Sequence, residues 1–185
     1  MQITGIILAG GQNTRMGTDK ALIQFNGKTL LENAIEICRP VCQTIIISSN
    51  NSDHENFGCQ IIRDEIKNCG PLSGIYSCLK KSDTSWNFVI SVDSAFIPPD
   101  FAAFLISEIG DFDAVVPFHE NGKEPLVALY NKNCVSVIQE NIELNDFKLQ
   151  NLLNVLNTKF VDVEKWLKKY PEIFRNLNRP EDFIF

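Results

Sequence analysis

The sequence lacks the features that define several protein classes. No apolar run approaches the roughly 20 residues that span a membrane, and Gly10 and Gly11 interrupt the first apolar stretch before it reaches the length of a signal peptide. A long block of like charge, a Pro/Ser-rich linker and an internal repeat are also missing. These absences predict a soluble, cytoplasmic protein.

Cysteine and histidine are present, but not in a metal-binding pattern. The six cysteines include no C-x-x-C pair, and the two histidines, His54 and His119, lie far apart in the sequence. A zinc site needs several such ligands at short spacings, so the pattern favours reduced core or surface thiols. His119 falls between two predicted strands and is expected in a surface loop.

An excess of basic residues is missing as well. The formal net charge is −6 and the isoelectric point is near 4.9, which argues against sequence-independent binding to nucleic acid or to an anionic membrane. The chain of 185 residues, 44% of them apolar, is long enough for one sizeable core and short for two domains. We therefore expect a single domain over residues 1–185.

The apolar patterns alternate between strands and helices. Strands are predicted at Ile6–Leu8, Thr44–Ile47 and Phe88–Val92, and amphipathic helices follow them. One helix begins at Thr29, where Glu32 three residues later completes a capping box. This alternation predicts an α/β fold with a mostly parallel sheet and right-handed crossovers, the mononucleotide-binding architecture.

A glycine loop directly follows the first strand. Ala9–Gly11 have little or no side chain, so an anion can approach their backbone N–H groups and those of Leu8 closely. Arg15 then offers a planar fork for phosphate oxygens and Lys20 a mobile point charge. The P-loop and the G-x-G-x-x-G fingerprint are both missing. The stretch therefore predicts a polyphosphate site of another kind.

A carboxylate is predicted at the same edge of the sheet. Asp93 follows the strand Phe88–Val92 directly, and the carboxyl ends of parallel strands are where such sheets bind ligands. A hard carboxylate oxygen suits Mg²⁺, so Asp93 is the candidate metal ligand, with Mn²⁺ as the alternative metal. The other interpretation is that Asp93 only accepts hydrogen bonds from loop amides.

The pattern LAGGxxxRMGxDK at Leu8–Lys20 resembles the signature of nucleotidyltransferases that activate sugars and cofactors. Among these, the chain looks most like the molybdenum cofactor guanylyltransferases, which join GMP to molybdopterin. The resemblance extends along nearly the whole chain through four further segments: GPLSGI at Gly70–Ile75, VDSAFIPPD at Val92–Asp100, EPLVALY at Glu124–Tyr130 and NLNRPEDF at Asn176–Phe183. It implies a three-layer, Rossmann-like nucleotidyltransferase fold with one antiparallel strand, with a nucleotide-binding half at about 1–100 and an acceptor-binding half at about 101–185.

The resemblance also implies roles for individual residues. Nucleotide contacts are expected at Ser48 and Asp64, and at Gly70 and Pro71, where a helix begins; a strand-end serine, a solvated acid and plain helix packing are the alternatives. Asn176 and Asn178 are expected either to contact the acceptor or to cap the last helix. The catalytic set is Arg15, Lys20 and Asp93, and Lys123 and Glu124 are expected near the acceptor.

The implied reaction is transfer of GMP from GTP to the terminal phosphate of molybdopterin, with release of pyrophosphate. GTP and molybdopterin would be the substrates of a monomer or weak homo-oligomer that makes transient contacts with other molybdenum cofactor biosynthesis proteins. A cytidylyltransferase or sugar-1-phosphate nucleotidyltransferase is the first alternative. The second is a catalytically silent nucleotide-binding regulator, because Ser48 and Ala95 depart from the family pattern.

Overall fold

A computed structural model describes residues 1–10, 19–178 and 182. The helices are α1 (Leu30–Cys38), α2 (Pro71–Lys81), α3 (Pro99–Ser107), α4 (Cys134–Glu143), α5 (Leu149–Val155) and α6 (Glu164–Lys169). The strands are β1 (Ile3–Leu8), β2 (Gln24–Phe25), β3 (Lys28–Thr29), β4 (Thr44–Ser48), β5 (Gln60–Ile62), β6 (Trp86–Ser91), β7 (Ala114–His119), β8 (Gly122–Lys123), β9 (Val127–Asn131) and β10 (Thr158–Asp162).

The central sheet has the strand order β10-β7-β9-β6-β1-β4-β5. The pairs β1 with β4, β1 with β6, β4 with β5, and β7 with β10 are parallel. Strand β9 runs antiparallel to both of its neighbours, and the short β8 pairs antiparallel with β7. The prediction of a mostly parallel sheet with an antiparallel strand is confirmed. The carboxyl ends of β1, β4, β5, β6 and β7 consequently meet at one edge.

Helices cover both faces of this sheet and make a three-layer structure. Ile7 of β1 belongs to a core with Leu31 of α1 and Phe101 of α3. Ile6, which points to the opposite face because side chains alternate along a strand, packs in a second core with Ile75 of α2. Strand β1 is buried along its whole length, as expected for a strand covered on both sides.

Local signals in the sequence account for several element boundaries. At the start of α1, the Thr29 hydroxyl accepts from the Glu32 N–H at 3.1 Å, while the Glu32 carboxylate accepts from the Thr29 N–H at 2.7 Å. The predicted capping box is therefore confirmed. Asn26 and Gly27 have positive φ values of 53° and 79°, which suits the tight turn between β2 and β3.

All six cysteines are free, and five of them are buried, as the sequence predicts. Burial raises the pKa of the Cys78 thiol to about 12, which keeps it protonated and unreactive at neutral pH. Across residues 1–10, 19–178 and 182, every helix is too short or too polar to cross a bilayer.

Candidate active site

A buried ion pair lies at the carboxyl edge of the sheet. The Lys20 ammonium is 2.6 Å from Asp93 Oδ2, and the two side chains are only 9% and 15% exposed. Asp93 follows β6 by two residues, and its other carboxylate oxygen accepts from the Ser91 hydroxyl. The two residues that the sequence predicts to work together are thus in direct contact, although 73 positions separate them.

The chain returns to this pair near residue 178. Asn178 Oδ1 accepts a second hydrogen bond from the Lys20 ammonium at 2.7 Å. The Leu177 N–H donates to the Asp93 carbonyl at 3.3 Å, and the Ser94 hydroxyl lies 3.5 Å from Asn176 Oδ1. Asn178 therefore binds the Lys20 ammonium directly, whereas Asn176 contacts Ser94, the residue after Asp93.

The turn that carries Lys20 is held by Asp19. One carboxylate oxygen of Asp19 accepts from the Ala21 N–H at 2.9 Å, and the other accepts from the Asn51 amide at 2.5 Å. His54 Nε2 lies 3.0 Å from that second oxygen. Neither ring nitrogen of the fully buried His54 makes a well-directed hydrogen bond within the described residues. Asp19 therefore connects the Lys20 turn to the segment after β4.

The contacts of Asp19, Asn51 and His54 were not predicted from the sequence. Asp19 stands beside Lys20 in the opening motif, and Asn51 belongs to the polar run that ends β4. Both signals are visible in the sequence, but only the folded chain shows that the carboxylate and the amide meet. His54 has no sequence signal that separates it from an ordinary core residue.

Strands β4 and β5 place Ser48 and Asp64 on the other side of β1. The Ser48 hydroxyl donates to Asp64 Oδ1 at 3.3 Å. Burial raises the pKa of the Asp64 carboxyl, while hydrogen bonds from Ser48 and Asn50 act in the opposite direction. A side chain at Gly74 in α2 would place Cβ 2.5 Å from Ser48 Oγ. The glycine therefore allows α2 to pack closely over these residues.

The remaining predicted nucleotide contacts divide into three groups. Backbone groups of Leu8 and Ala9 already serve the sheet, since the Leu8 carbonyl accepts from Val92 and the Ala9 N–H donates to Ser48. Gly70 precedes Pro71 at the start of α2 with φ 58°, a value that favours glycine. Gly11 and Arg15 lie outside the described residues, and Gly10 ends the described part of the glycine loop.

His119 differs from its expectation. Its side chain is only 8% exposed, and its ring stacks on Phe174 with a centroid distance of 5.3 Å and an interplanar angle of 5°. The prediction of a surface-loop histidine is wrong because Phe174, distant in sequence, packs over the ring. Glu124 Oε1 lies 3.0 Å from His119 Nε2.

The residues near Asp93 fit a magnesium ion that is shared with a ligand. Among residues 1–10, 19–178 and 182, no three His, Cys, Asp or Glu side chains come together as a metal site. Magnesium is commonly held by one or two carboxylates together with phosphate oxygens and water. A single carboxylate at the end of β6 suits that arrangement and does not suit a closed protein cage.

A doubly covered α/β sheet that brings the start of a glycine loop at Ala9–Gly10, a buried lysine and a strand-end aspartate to one edge is typical of a nucleotidyltransferase. The model of the MobA-like NTP transferase domain matches residues 5–160. The chain therefore belongs to the MobA-like NTP transferase family.

Relatives and a solved structure agree with this placement. A protein of Halalkalibacterium halodurans named as a probable molybdenum cofactor guanylyltransferase is 31% identical and aligns over 96% of this chain and 94% of its own. A protein of Pyrococcus horikoshii with the same name is 32% identical over 98% and 97%. The crystal structure of molybdopterin-guanine dinucleotide biosynthesis protein A from Archaeoglobus fulgidus is 26% identical, covers 97% and 94%, and superposes with a TM-score of 0.81.

Proposed function

We propose that this protein transfers GMP from GTP to the terminal phosphate of molybdopterin and releases pyrophosphate. The contact between Lys20 and Asp93 at the carboxyl edge carries the proposal, because it joins a cation suited to phosphate and a carboxylate suited to Mg²⁺. The names of the full-length relatives supply the substrate class. The reaction takes place in the cytoplasm, on a monomer or weak homo-oligomer.

Nucleotidyl transfer needs positioning and charge stabilisation more than covalent help from the protein. Lys20 exchanges its contact with Asp93 for phosphate oxygens of the nucleotide, and Asn178 keeps the ammonium in place during this exchange. Asp93 would hold Mg²⁺, which when bound would offset the negative charge of the phosphates. The buried setting strengthens these interactions relative to bulk water.

The acceptor phosphate is itself an anionic nucleophile, so the site requires no general base. One of its oxygens forms a bond to the α-phosphorus of GTP as the bond between the α-phosphorus and the bridging oxygen breaks. Pyrophosphate leaves with the electron pair of that bond. Lys20 stabilises the charge that develops on the phosphate oxygens.

We base the preference for guanine on Asp64, whose carboxylate accepts from the Ser48 hydroxyl. Guanine presents two adjacent N–H donors on its Watson–Crick edge, and an ionised carboxylate accepts both. Cytosine offers one amino group there and an acceptor beside it. Burial raises the pKa of Asp64, while hydrogen bonds from Ser48 and Asn50 lower it, and the two donors of guanine would further stabilise the ionised carboxylate.

The direct test measures pyrophosphate release with each of GTP, CTP, ATP and UTP, with and without molybdopterin and Mg²⁺. We expect release only with GTP, acceptor and metal together. Release with CTP would indicate the cytidylyltransferase alternative, and release with a sugar phosphate as acceptor would indicate a sugar-1-phosphate nucleotidyltransferase. Thermal stabilisation by GTP without any release would indicate a silent nucleotide-binding regulator.

A further inference from the structure

The last residue of β7, His119, and the residue after β8, Glu124, are not used by the reaction described above. The His119 side chain is buried, and Glu124 remains 26% exposed. The flat face of the His119 ring lies against Phe174. The buried imidazole of His119 thus contacts one oxygen of the Glu124 carboxylate, and solvent or a ligand can still reach the Glu124 side chain.

The hydrogen bonds of His119 fix its tautomer. The Asn121 N–H donates to His119 Nδ1 at 3.2 Å, so Nδ1 carries a lone pair and the proton lies on Nε2. Nε2 therefore donates to Glu124 Oε1 at 3.0 Å. The imidazole acts as a fixed donor that orients the carboxylate and leaves its other oxygen available to accept hydrogen bonds.

Both Glu124 and Phe174 are close along the chain to residues whose backbone bonds to Asp93 or to the end of β6. Glu124 stands two residues before Leu126, whose carbonyl accepts from the Ser91 N–H at 2.9 Å, beside the end of β6. Phe174 stands three residues before Leu177, whose N–H donates to the Asp93 carbonyl. In the strand order, β9 flanks β6 on the side away from β1, β4 and β5. The Glu124 segment therefore borders Asp93 opposite the nucleotide side.

We propose that Glu124, oriented by His119, binds the 2-amino-pyrimidinone edge of the acceptor's pterin. That edge presents two adjacent donors, the ring N3–H and the 2-amino group, and a carboxylate accepts both through parallel hydrogen bonds. This inference rests on the proposed function, because it assigns the part of the acceptor that lies beyond the reacting phosphate. Glu124 is a binding residue and His119 is its positioning residue.

The first experiment uses Glu124→Gln, which keeps the size of the side chain but replaces one oxygen by an amide donor. Initial rates are measured against molybdopterin concentration at saturating GTP and Mg²⁺. Since hydrogen bonds to charged groups contribute about 1.5–3 kcal/mol each, we expect the KM for molybdopterin to rise roughly 10- to 100-fold. The dissociation constant of GTP and the melting temperature stay at the wild-type values.

The matched control is Glu120→Gln, the same change at an exposed position of the same turn. Within the part of the chain that the structure describes, Glu120 makes one hydrogen bond, from its backbone N–H to the Glu164 carboxylate, so the control should leave the KM for molybdopterin unchanged. His119→Phe keeps a ring against Phe174 but removes the donor, and it should raise the same KM by a smaller factor. An unchanged KM in Glu124→Gln would overturn the proposal.

A second measurement needs no turnover. The binding of a simple pterin is compared with that of its lumazine counterpart, in which an oxo group replaces the 2-amino group. Wild-type protein should bind the pterin more tightly, and Glu124→Gln should lose this preference. Equal binding of the two ligands by the wild type would also overturn the proposal. If the wild type makes no product from GTP and molybdopterin, the proposed function fails, and this binding comparison still decides the role of Glu124.

Discussion

Asp93→Asn tests the ion pair at the centre of the site. The substitution keeps the shape of the side chain and an amide oxygen near Lys20, but it removes the charge that faces the ammonium at 2.6 Å. Breaking a buried ion pair by removing one partner typically costs about 3–5 kcal/mol. Lys20 retains its hydrogen bond to Asn178, so we expect a smaller loss of about 1–2 kcal/mol. That loss corresponds to a melting temperature lower by roughly 2–8 °C.

The effect on catalysis should be much larger than the effect on stability. Asp93 is the metal ligand in the proposed reaction, and a metal ion supplies several kcal/mol of transition-state stabilisation, so kcat should fall at least about a thousandfold. Stability is followed by thermal unfolding, and turnover by pyrophosphate release at saturating GTP and molybdopterin. Raising the Mg²⁺ concentration should restore little of the lost activity, because the remaining amide is a weak ligand.

Asp113→Asn is the matched control. Asp113 precedes β7 at the opposite edge of the sheet, and its carboxylate accepts from the Asn157 N–H at 2.9 Å. This variant should lose comparable stability and keep its turnover. A loss of kcat below about tenfold in Asp93→Asn, or an equal loss in Asp113→Asn, would refute the assignment of Asp93.

Three further predictions concern the nucleotide side of the site. Lys20→Ala should weaken GTP binding roughly 10- to 150-fold through the loss of a charge-assisted phosphate contact, measured by calorimetry; equal affinity would remove Lys20 from the phosphate site. Gly74→Ala should destabilise the protein by about 1–3 kcal/mol through overpacking, because the new Cβ would lie 2.5 Å from Ser48 Oγ. Adding Ser48→Ala should recover part of this loss in denaturant unfolding, and no recovery would contradict the clash. Asp64→Asn should raise the melting temperature at pH 7 and lower GTP affinity, since folding raises the pKa of Asp64 above its ordinary 3.8 and makes its ionised form unfavourable. The wild type therefore loses stability relative to the variant as pH rises from 3.8 through the raised pKa of Asp64, and the difference in stability vanishes below pH 3.8. A difference in stability that grows on acidification would contradict this reasoning.

The parts of the site that follow from strand geometry could be predicted from the sequence. The glycine loop and Asp93 each follow a buried strand, and parallel strands bring such residues to one edge of the sheet. The antiparallel direction of the strand at Val127–Asn131 could be predicted only from the family resemblance, because an apolar run does not show whether a strand is parallel or antiparallel to its neighbours. The capping box at Thr29 was predictable because all of its contacts are local.

Contacts between distant side chains could not be predicted in the same way. The burial of His119 depends on Phe174, and the position of the Lys20 turn depends on the hydrogen bond between Asp19 and Asn51. Neither pair shows a periodicity or spacing that links its members. Sequence patterns predict which elements form and which edge they share, whereas these pairings depend on how loops from separate elements pack.

The bond between Lys20 and Asn178 joins positions that are 158 residues apart. On a ribosome, β1 and Lys20 are made long before Asn178, the residue that completes the contacts of the Lys20 ammonium. Until then, no partly synthesised chain has the full set of contacts around the ammonium. Translation must therefore reach residue 178 before the enzyme can work, and a fragment that stops near residue 170 should be inactive even if its sheet has formed.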